Sequence, residues 1–169
     1  MPYSKKPKIY ALSENREVIV RRNADKSYTV SILDKLSIKT VEFPEKRWAS
    51  FVLHLNDIDE SVQQRQLKDI KYFQHIGGGF YVSVTSAYKC VDIREFYMPS
   101  SGGEVKPTRR GIAIRLHEWE TLKGIIERIA KDIPALATIQ PCYQDGDHNA
   151  QNQEAWMHCH ECLPFGLFA

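Results

Sequence analysis

The chain has 169 residues, a formal net charge of +2 at pH 7 and 43% apolar residues, which describes a globular protein with one sizeable core or two small ones. No apolar run is long enough to cross a membrane and no hydrophobic segment follows the basic N-terminus, so we expect neither a membrane partner nor secretion. Inside a cell, the four cysteines are expected to be reduced thiols or metal ligands.

The first part of the chain predicts several strands followed by one helix. After a basic arm over residues 1–8, segments with period-two, β-branched patterning predict strands over 9–12, 17–22, 28–33 and 37–43. Pro44 then presets the first helical turn, and Glu45 lies near the positive end of the helix dipole. The predicted helix runs from there to about Gln66.

A second unit of the same kind follows. Glycines 77–79 precede a predicted strand over 80–86, and further strands are predicted over 90–98 and 111–116. Residues 99–110 between the last two strands are predicted to be a loop, which is longer than its counterpart in the first unit and basic at one end. The second helix is predicted from His117 to about Ile133.

The two predicted helices carry the same apolar seam. In each helix, five large side chains recur at alternating steps of three and four residues, which keeps them on one narrow face. The first set is Trp48, Phe51, Leu55, Ile58 and Val62, and the second is Trp119, Leu122, Ile126, Ile129 and Ile133. The repetition predicts two helices that each lay this seam against a partner.

The second unit resembles a known family. Its segments 72–77, 80–84, 92–98 and 103–112, followed by Trp119 and residues 122–123, are similar in order and kind to the C-terminal domain of the RNA polymerase II transcriptional coactivator positive cofactor four. The resemblance covers about residues 70–136. Residues 8–68 resemble the same unit in pattern only, as a divergent copy.

This resemblance implies a fold. In the family, a curved four-stranded antiparallel sheet is followed by one helix, and two such units pair through their helices and outer strands. We therefore predict an α+β protein of two ββββα units that form a pseudo-dimer within one chain, with further homodimerisation open. The predicted domains are residues 8–68, residues 70–136 and a Cys/His-containing tail over 138–169.

The resemblance also implies a surface for single-stranded DNA. Carried over position by position, the family's binding residues correspond to Tyr88, Lys89, Arg94, Tyr97, Lys106, Arg109 and Arg110. These residue types suit the task, because aromatic faces stack on any base and cations neutralise phosphates without reading sequence. Strict alternation would place Arg94 and Tyr97 on opposite faces of their strand, so a shared contact requires a bulge or strong twist. Thr85 and glycines 78–79 stand where the family has more basic residues.

The tail concentrates metal-ligating residue types. Cys142, His148, Cys159 and Cys162 are the predicted ligands of a zinc ion, and the spacing from Cys159 to Cys162 is that of a zinc-knuckle half-site. The alternative is a reduced-thiol segment that docks on the two units through Trp156, Leu163, Phe165 and Phe168.

Together these patterns predict a nuclear protein that binds single-stranded nucleic acid as a transcriptional coactivator or in genome maintenance. Its expected partners are single-stranded DNA and proteins of the transcription machinery. No P-loop, nucleophile elbow or metallohydrolase spacing occurs in the chain, so we expect neither an enzyme nor a required cofactor, and zinc at the tail is the one candidate. The alternative function is a protein-interaction or assembly module that has kept the fold and lost the DNA surface.

Overall fold

The first sheet is an antiparallel meander. A computed structural model describes residues 6–148 and 153–166, so part of the predicted basic arm (residues 1–5) and Phe168 lie outside the described residues. The sheet has the strand order β1-β2-β3-β4. Its strands are β1 (Lys8–Ala11), β2 (Arg16–Arg22), β3 (Tyr28–Asp34) and β4 (Lys39–Pro44). Alternate residues on each strand face the core, as the period-two pattern predicts, among them Val18, Ile32 and Phe43.

The first helix is divided in two. Helix α1 (Glu45–Leu53) and helix α2 (Leu55–Gln64) meet at His54, whereas the sequence predicted one helix to about Gln66. That prediction was wrong at this residue because the backbone ψ of His54 is 4°, well outside the α-helical well. Backbone hydrogen bonds still continue through His54, which donates to Ser50 and accepts from Ile58. The seam therefore stays on one side of both segments.

The second sheet repeats the meander, with the order β5-β6-β7-β8. Its strands are β5 (Lys71–Gly77), β6 (Phe80–Thr85), β7 (Cys90–Tyr97) and β8 (Lys106–Arg115), and helix α3 (Leu116–Asp132) follows directly. Strand β8 begins well inside the predicted loop over 99–110. The loop prediction was wrong there because Lys106 and Pro107 pair with Tyr97 and Phe96 across a register shift, and their sequence shows no apolar alternation.

Both units contribute to one hydrophobic core. Trp48 and Phe51 from the first seam lie in the same buried cluster as Trp119 and Ile129 from the second. The Phe51 and Trp119 rings meet edge to face at 6.4 Å. The indole N–H of Trp119 donates to Asp59 of α2 at 3.0 Å. The prediction of an α+β fold, with two ββββα units paired within one chain, is confirmed.

A partly buried ion-pair network also joins the two units. Arg16 of β2 donates through Nη1 to the backbone oxygen of Ala113 at 2.7 Å and to Glu118 Oε2 at 2.8 Å. Its Nε also donates to Asp34 at 3.1 Å. Glu118 is only 5% exposed and accepts a further bond from the backbone N–H of Arg115, so it also stabilises the first turn of α3.

The remaining elements are short. Helix α4 (Pro134–Ala137) covers the end of the core through Leu136, and two 3-10 turns follow, Cys142–Gln144 and Gly146–His148. Helix α5 (Gln153–Met157) leads into the last described turns. Among the helices of the described residues, none is long and apolar enough to span a membrane.

Candidate nucleic-acid interface and candidate metal centre

The outer face of the second sheet carries the polar and aromatic side chains. Because Val82, Val84 and Ile93 are fully buried towards the helices, their strand neighbours point the other way. Tyr81 and Arg94 are register partners on this outer face, as are Ser83 and Asp92. The face is therefore open to a ligand across β6 and β7.

Tyr88 and Lys89 lie in the turn between β6 and β7. Tyr88 is 69% exposed and Lys89 is also exposed. The Tyr88 side chain lines a shallow pocket on the outer face together with Thr85, Cys90 and Asp92. An exposed aromatic ring at the edge of such a pocket is suited to stacking on an unpaired base.

Arg94 and Tyr97 lie on different faces of β7. The predicted bulge is present, but it places its extra residues in β8, because Arg94 pairs with Gly111 while Phe96 already pairs with Pro107. The alternation of β7 is thus unchanged, and Tyr97 belongs to the face opposite Arg94. Arg94 is also held within the protein, since it donates to both carboxylate oxygens of Asp92 at 3.1 Å and to the Thr108 backbone oxygen at 3.0 Å.

The three predicted cations lie in the first half of β8. Lys106 is the register partner of Tyr97, so these two residues are brought together. Lys106 and Arg109 are exposed, and Arg110 is also exposed, with Nη1 3.6 Å from Glu95 Oε2. Lys89 and Tyr97 lie at opposite ends of β7, roughly 25 Å apart at the rise of an extended strand. The predicted residues therefore follow the length of a strand rather than converge on one point.

The first sheet lacks an equivalent surface. The three aromatic residues of its strands, Tyr10, Tyr28 and Phe43, stand at register positions that face the core. At the middle of its outer face, Ile19 and Ser31 are already buried. Among its cations, Arg22 lies over the Tyr28 ring at 6.0 Å. The described residues of this sheet thus offer no exposed ring for a base.

Sequence reasoning missed three rings on the outer face of the second sheet. Phe73, Tyr81 and Phe96 form one aromatic cluster there. Residues 71–77 gave no clear signal for a strand, because their apolar and polar residues do not alternate. Without the strand β5, Phe73 could not be assigned to the face that carries Arg94.

The four predicted metal ligands converge. One donor atom from each of Cys142, His148, Cys159 and Cys162 lies within 4.8 Å of all the others. Cys142 Sγ is 3.6 Å from Cys159 Sγ and 3.1 Å from His148 Nδ1, and Cys162 Sγ is 3.4 Å from the same nitrogen. Sulfur ligands at about 2.3 Å from a tetrahedral zinc lie roughly 3.7 Å apart, so this donor set fits zinc. Burial, reinforced by the neighbouring sulfur atoms, raises the pKa of the Cys142 thiol.

The tail docks on the turn between β5 and β6 through a residue between two of these cysteines. Glu161 accepts a backbone hydrogen bond from Gly78 at 2.9 Å. Its carboxylate accepts hydrogen bonds from Nε and Nη2 of Arg47, a residue of α1, at 2.8 and 2.9 Å. The Arg47 guanidinium also covers the Phe80 ring at 4.6 Å. We call this set of contacts (Glu161, Arg47, Gly78 and Phe80) the clasp.

The turn between β5 and β6 requires glycine at the two positions that contact Glu161 and Arg47. Gly77 and Gly78 have φ of 130° and 61°, and a Cβ at these positions would meet the Glu161 carboxylate and the Arg47 guanidinium respectively. Beside them, burial lowers the pKa of His75, whose Nε2 accepts the Gly79 N–H at 3.1 Å. The departure from the family at glycines 78–79 thus coincides with the place where the tail binds. The tail that brings the four predicted ligands together thus also docks on the turn between β5 and β6, through Glu161.

Comparison with known proteins supports the resemblance for the second unit. Residues 87–125 match the family model described as Transcriptional Coactivator p15 (PC4). A similar curated protein is the RNA polymerase II transcriptional coactivator of Drosophila melanogaster, which is 40% identical over 45 residues, or 27% of this chain and 39% of that protein. The match thus spans well under half of either chain. No solved structure matches. The predicted resemblance to this coactivator family is confirmed, and the tandem arrangement of two such domains remains a prediction.

Proposed function

We propose that this protein binds single-stranded DNA along β7 and β8 of the second unit and acts in the nucleus as a transcriptional coactivator or in genome maintenance. The observation that carries the proposal is that all seven predicted binding residues fall inside the matched segment 87–125, on β7, on β8 or in the turn before β7. The partners we propose besides DNA are proteins of the transcription machinery.

Exposed tyrosines favour an unpaired strand over duplex. Tyr88 and Tyr97 are 69% and 47% exposed, so each ring has a free face to offer. In duplex DNA the bases already stack on one another, whereas an unpaired strand presents every base face. The exposed cations of β8 supply the sequence-independent attraction to phosphate.

Replacing Lys106, Arg109 and Arg110 together by Gln should weaken binding and reduce its salt dependence. Each phosphate of a single strand that is no longer neutralised makes the slope of log K against log salt shallower by about 0.7, so removing three cations corresponds to roughly 2. The measurement is a titration of labelled oligo(dT) at several salt concentrations. The matched control replaces three first-unit cations, Arg21, Arg22 and Lys26, and should leave both quantities nearly unchanged. Equal binding of duplex, or an unchanged triple variant, would show that the surface has been misplaced.

A specific observation favours a second candidate function. The outer face of the first sheet has no exposed aromatic ring among its described residues, and Arg94 is paired to Asp92. A protein-interaction or assembly module would need neither exposed rings for bases nor free cations for phosphates. Failure of wild-type protein to bind oligo(dT) at low salt would favour this alternative.

We further propose that Cys142, His148, Cys159 and Cys162 bind one zinc ion that orders the tail. The short donor distances support this site, and zinc binding energy becomes folding energy in segments with little apolar content. Elemental analysis of protein purified without chelator should give about one zinc per chain. Cys159→Ser should lose the metal, whereas Cys90→Ser, outside the cluster, should retain it. Zinc-free wild-type protein would contradict the proposal.

A further inference from the structure

Three aromatic side chains form a continuous patch on the outer face of the second sheet. Phe73 of β5 and Tyr81 of β6 are stacked, with ring centroids 4.4 Å apart and an interplanar angle of 7°. Phe96 of β7 meets both rings edge to face, each at 5.1 Å. We call these three residues the aromatic platform. Its rings are ordered by one another, as stacked and T-shaped pairs stabilise each other.

The platform is not part of the core. Phe73 is 44% exposed, whereas the large side chains that face the helices, such as Ile93 and Trp119, are fully buried. One face of the Phe73 ring is covered by Tyr81, and β5 is the edge strand of its sheet, so no further strand lies beyond Phe73. Together with the partly exposed Tyr81 and Phe96, it forms an accessible aromatic surface on the sheet.

Cations lie near the platform on both sides. Arg94, the register partner of Tyr81, stands two residues before Phe96 on the same face of β7, where it is paired with Asp92. Pro107, the partner of Phe96, is followed on the same strand by the exposed Arg109. At the other side, exposed Lys71 begins the strand that carries Phe73. An apolar ring between cations is complementary to a nucleotide, which joins a flat base to a charged phosphate.

We propose that the aromatic platform is a further base-binding position, at which an unpaired nucleobase stacks on the exposed face of Phe73. This inference rests on the proposed binding of single-stranded nucleic acid and extends that surface from β7 and β8 to the edge strand β5. Tyr81 and Phe96 hold the Phe73 ring in place and reduce the entropy lost when the base binds. Since every base has an aromatic face, the position accepts any base.

The test compares three forms of the full chain. Phe73→Leu keeps an apolar side chain of similar reach but removes the flat ring, while Phe73→Tyr keeps the ring. Titration with labelled oligo(dT) should show a Kd roughly tenfold weaker for Phe73→Leu, the loss expected for one stacked base, and a nearly unchanged Kd for Phe73→Tyr. Thermal unfolding of both variants reports whether the fold is retained.

Photocrosslinking gives a readout that is independent of affinity. Oligo(dT) carrying 5-iodouracil should crosslink on irradiation to Phe73 or Tyr81, identified by mass spectrometry of the cleaved protein. If wild-type protein binds but Phe73→Leu binds equally well and no crosslink forms on β5 or β6, the platform is not a base site. If wild-type protein does not bind at all, the proposed function fails as well, and an aromatic or proline-rich peptide becomes the ligand class that the platform fits.

Discussion

Replacing Trp119 by Ala is expected to reduce the free energy of unfolding by about 3–5 kcal/mol, the range for deleting a large aromatic side chain from a core. Trp119 is fully buried, meets Phe51 of the first unit edge to face and donates its indole N–H to Asp59 at 3.0 Å. The side chain thus belongs to both units, and its loss leaves a cavity where their helices meet. The measurement is equilibrium denaturation by urea.

The shared core predicts that both units unfold together. Tryptophan fluorescence and circular dichroism should follow one coincident transition in the wild type and in Trp119→Ala. Trp119→Phe, which keeps a ring but loses the donor to Asp59, should lose less stability than Trp119→Ala, while Leu67→Ala, at an 85% exposed position, should be nearly neutral. Two separate transitions in the wild type would contradict an intramolecular pseudo-dimer.

The paired architecture could be predicted because its signal is long and periodic. The five-residue seam of each helix depends on burial of one face, and Trp48, Ile58, Trp119 and Leu122 are indeed buried. The break at His54 could not be predicted, since Leu55 and Ile58 continue the same seam on either side of it. A change in ψ at one residue does not alter the spacing of the apolar residues in the sequence.

The start of β8 was missed for a different reason. Its first two residues are a lysine and a proline and lie across an irregular register from the apolar half of the strand, so no alternation marks them as a strand. The position of the bulge could not be predicted either. Alternation correctly placed Arg94 and Tyr97 on opposite faces of β7 unless a bulge intervened, but the sequence did not show that the extra residues of the bulge belong to β8.

Parts of the candidate sites could be predicted from the sequence, and other parts could not. Cys159 and Cys162 have the spacing of a zinc half-site, and the structure brings the two more distant candidate ligands beside them by folding the tail back. The clasp could not be predicted, because Arg47 and Glu161 are separated by most of the chain and pair only after both units have assembled. Phe73 was likewise hidden, since an isolated phenylalanine is usually a core residue.

If the proposed zinc is bound, removing it should loosen the turn that carries glycines 77–79 as well as the tail. Glu161 stands between Cys159 and Cys162, so an ion held by those cysteines would also fix the acceptor of the Gly78 N–H and the partner of Arg47. Without it, the Gly78 amide should exchange with solvent on the order of tenfold faster, as expected when one backbone hydrogen bond opens locally. Amides of β2 and β3, remote from the clasp, should not change.

Hydrogen exchange with and without chelator tests this coupling when it is combined with two variants. Cys159→Ser should reproduce the effect of chelation in the absence of chelator, because it removes a ligand and leaves Glu161 in place. Arg47→Gln should separate the two parts: it disrupts the clasp and speeds exchange at Gly78 while the zinc stays bound, since no ligand is altered. If chelation removes zinc and frees residues 142–166 but exchange at Gly78 stays slow, the clasp does not depend on the metal. The expected outcome is that chelation speeds hydrogen exchange in the tail and at Gly78 together. The reason is that the cysteines on either side of Glu161 restrict its backbone once both are bound to the same ion.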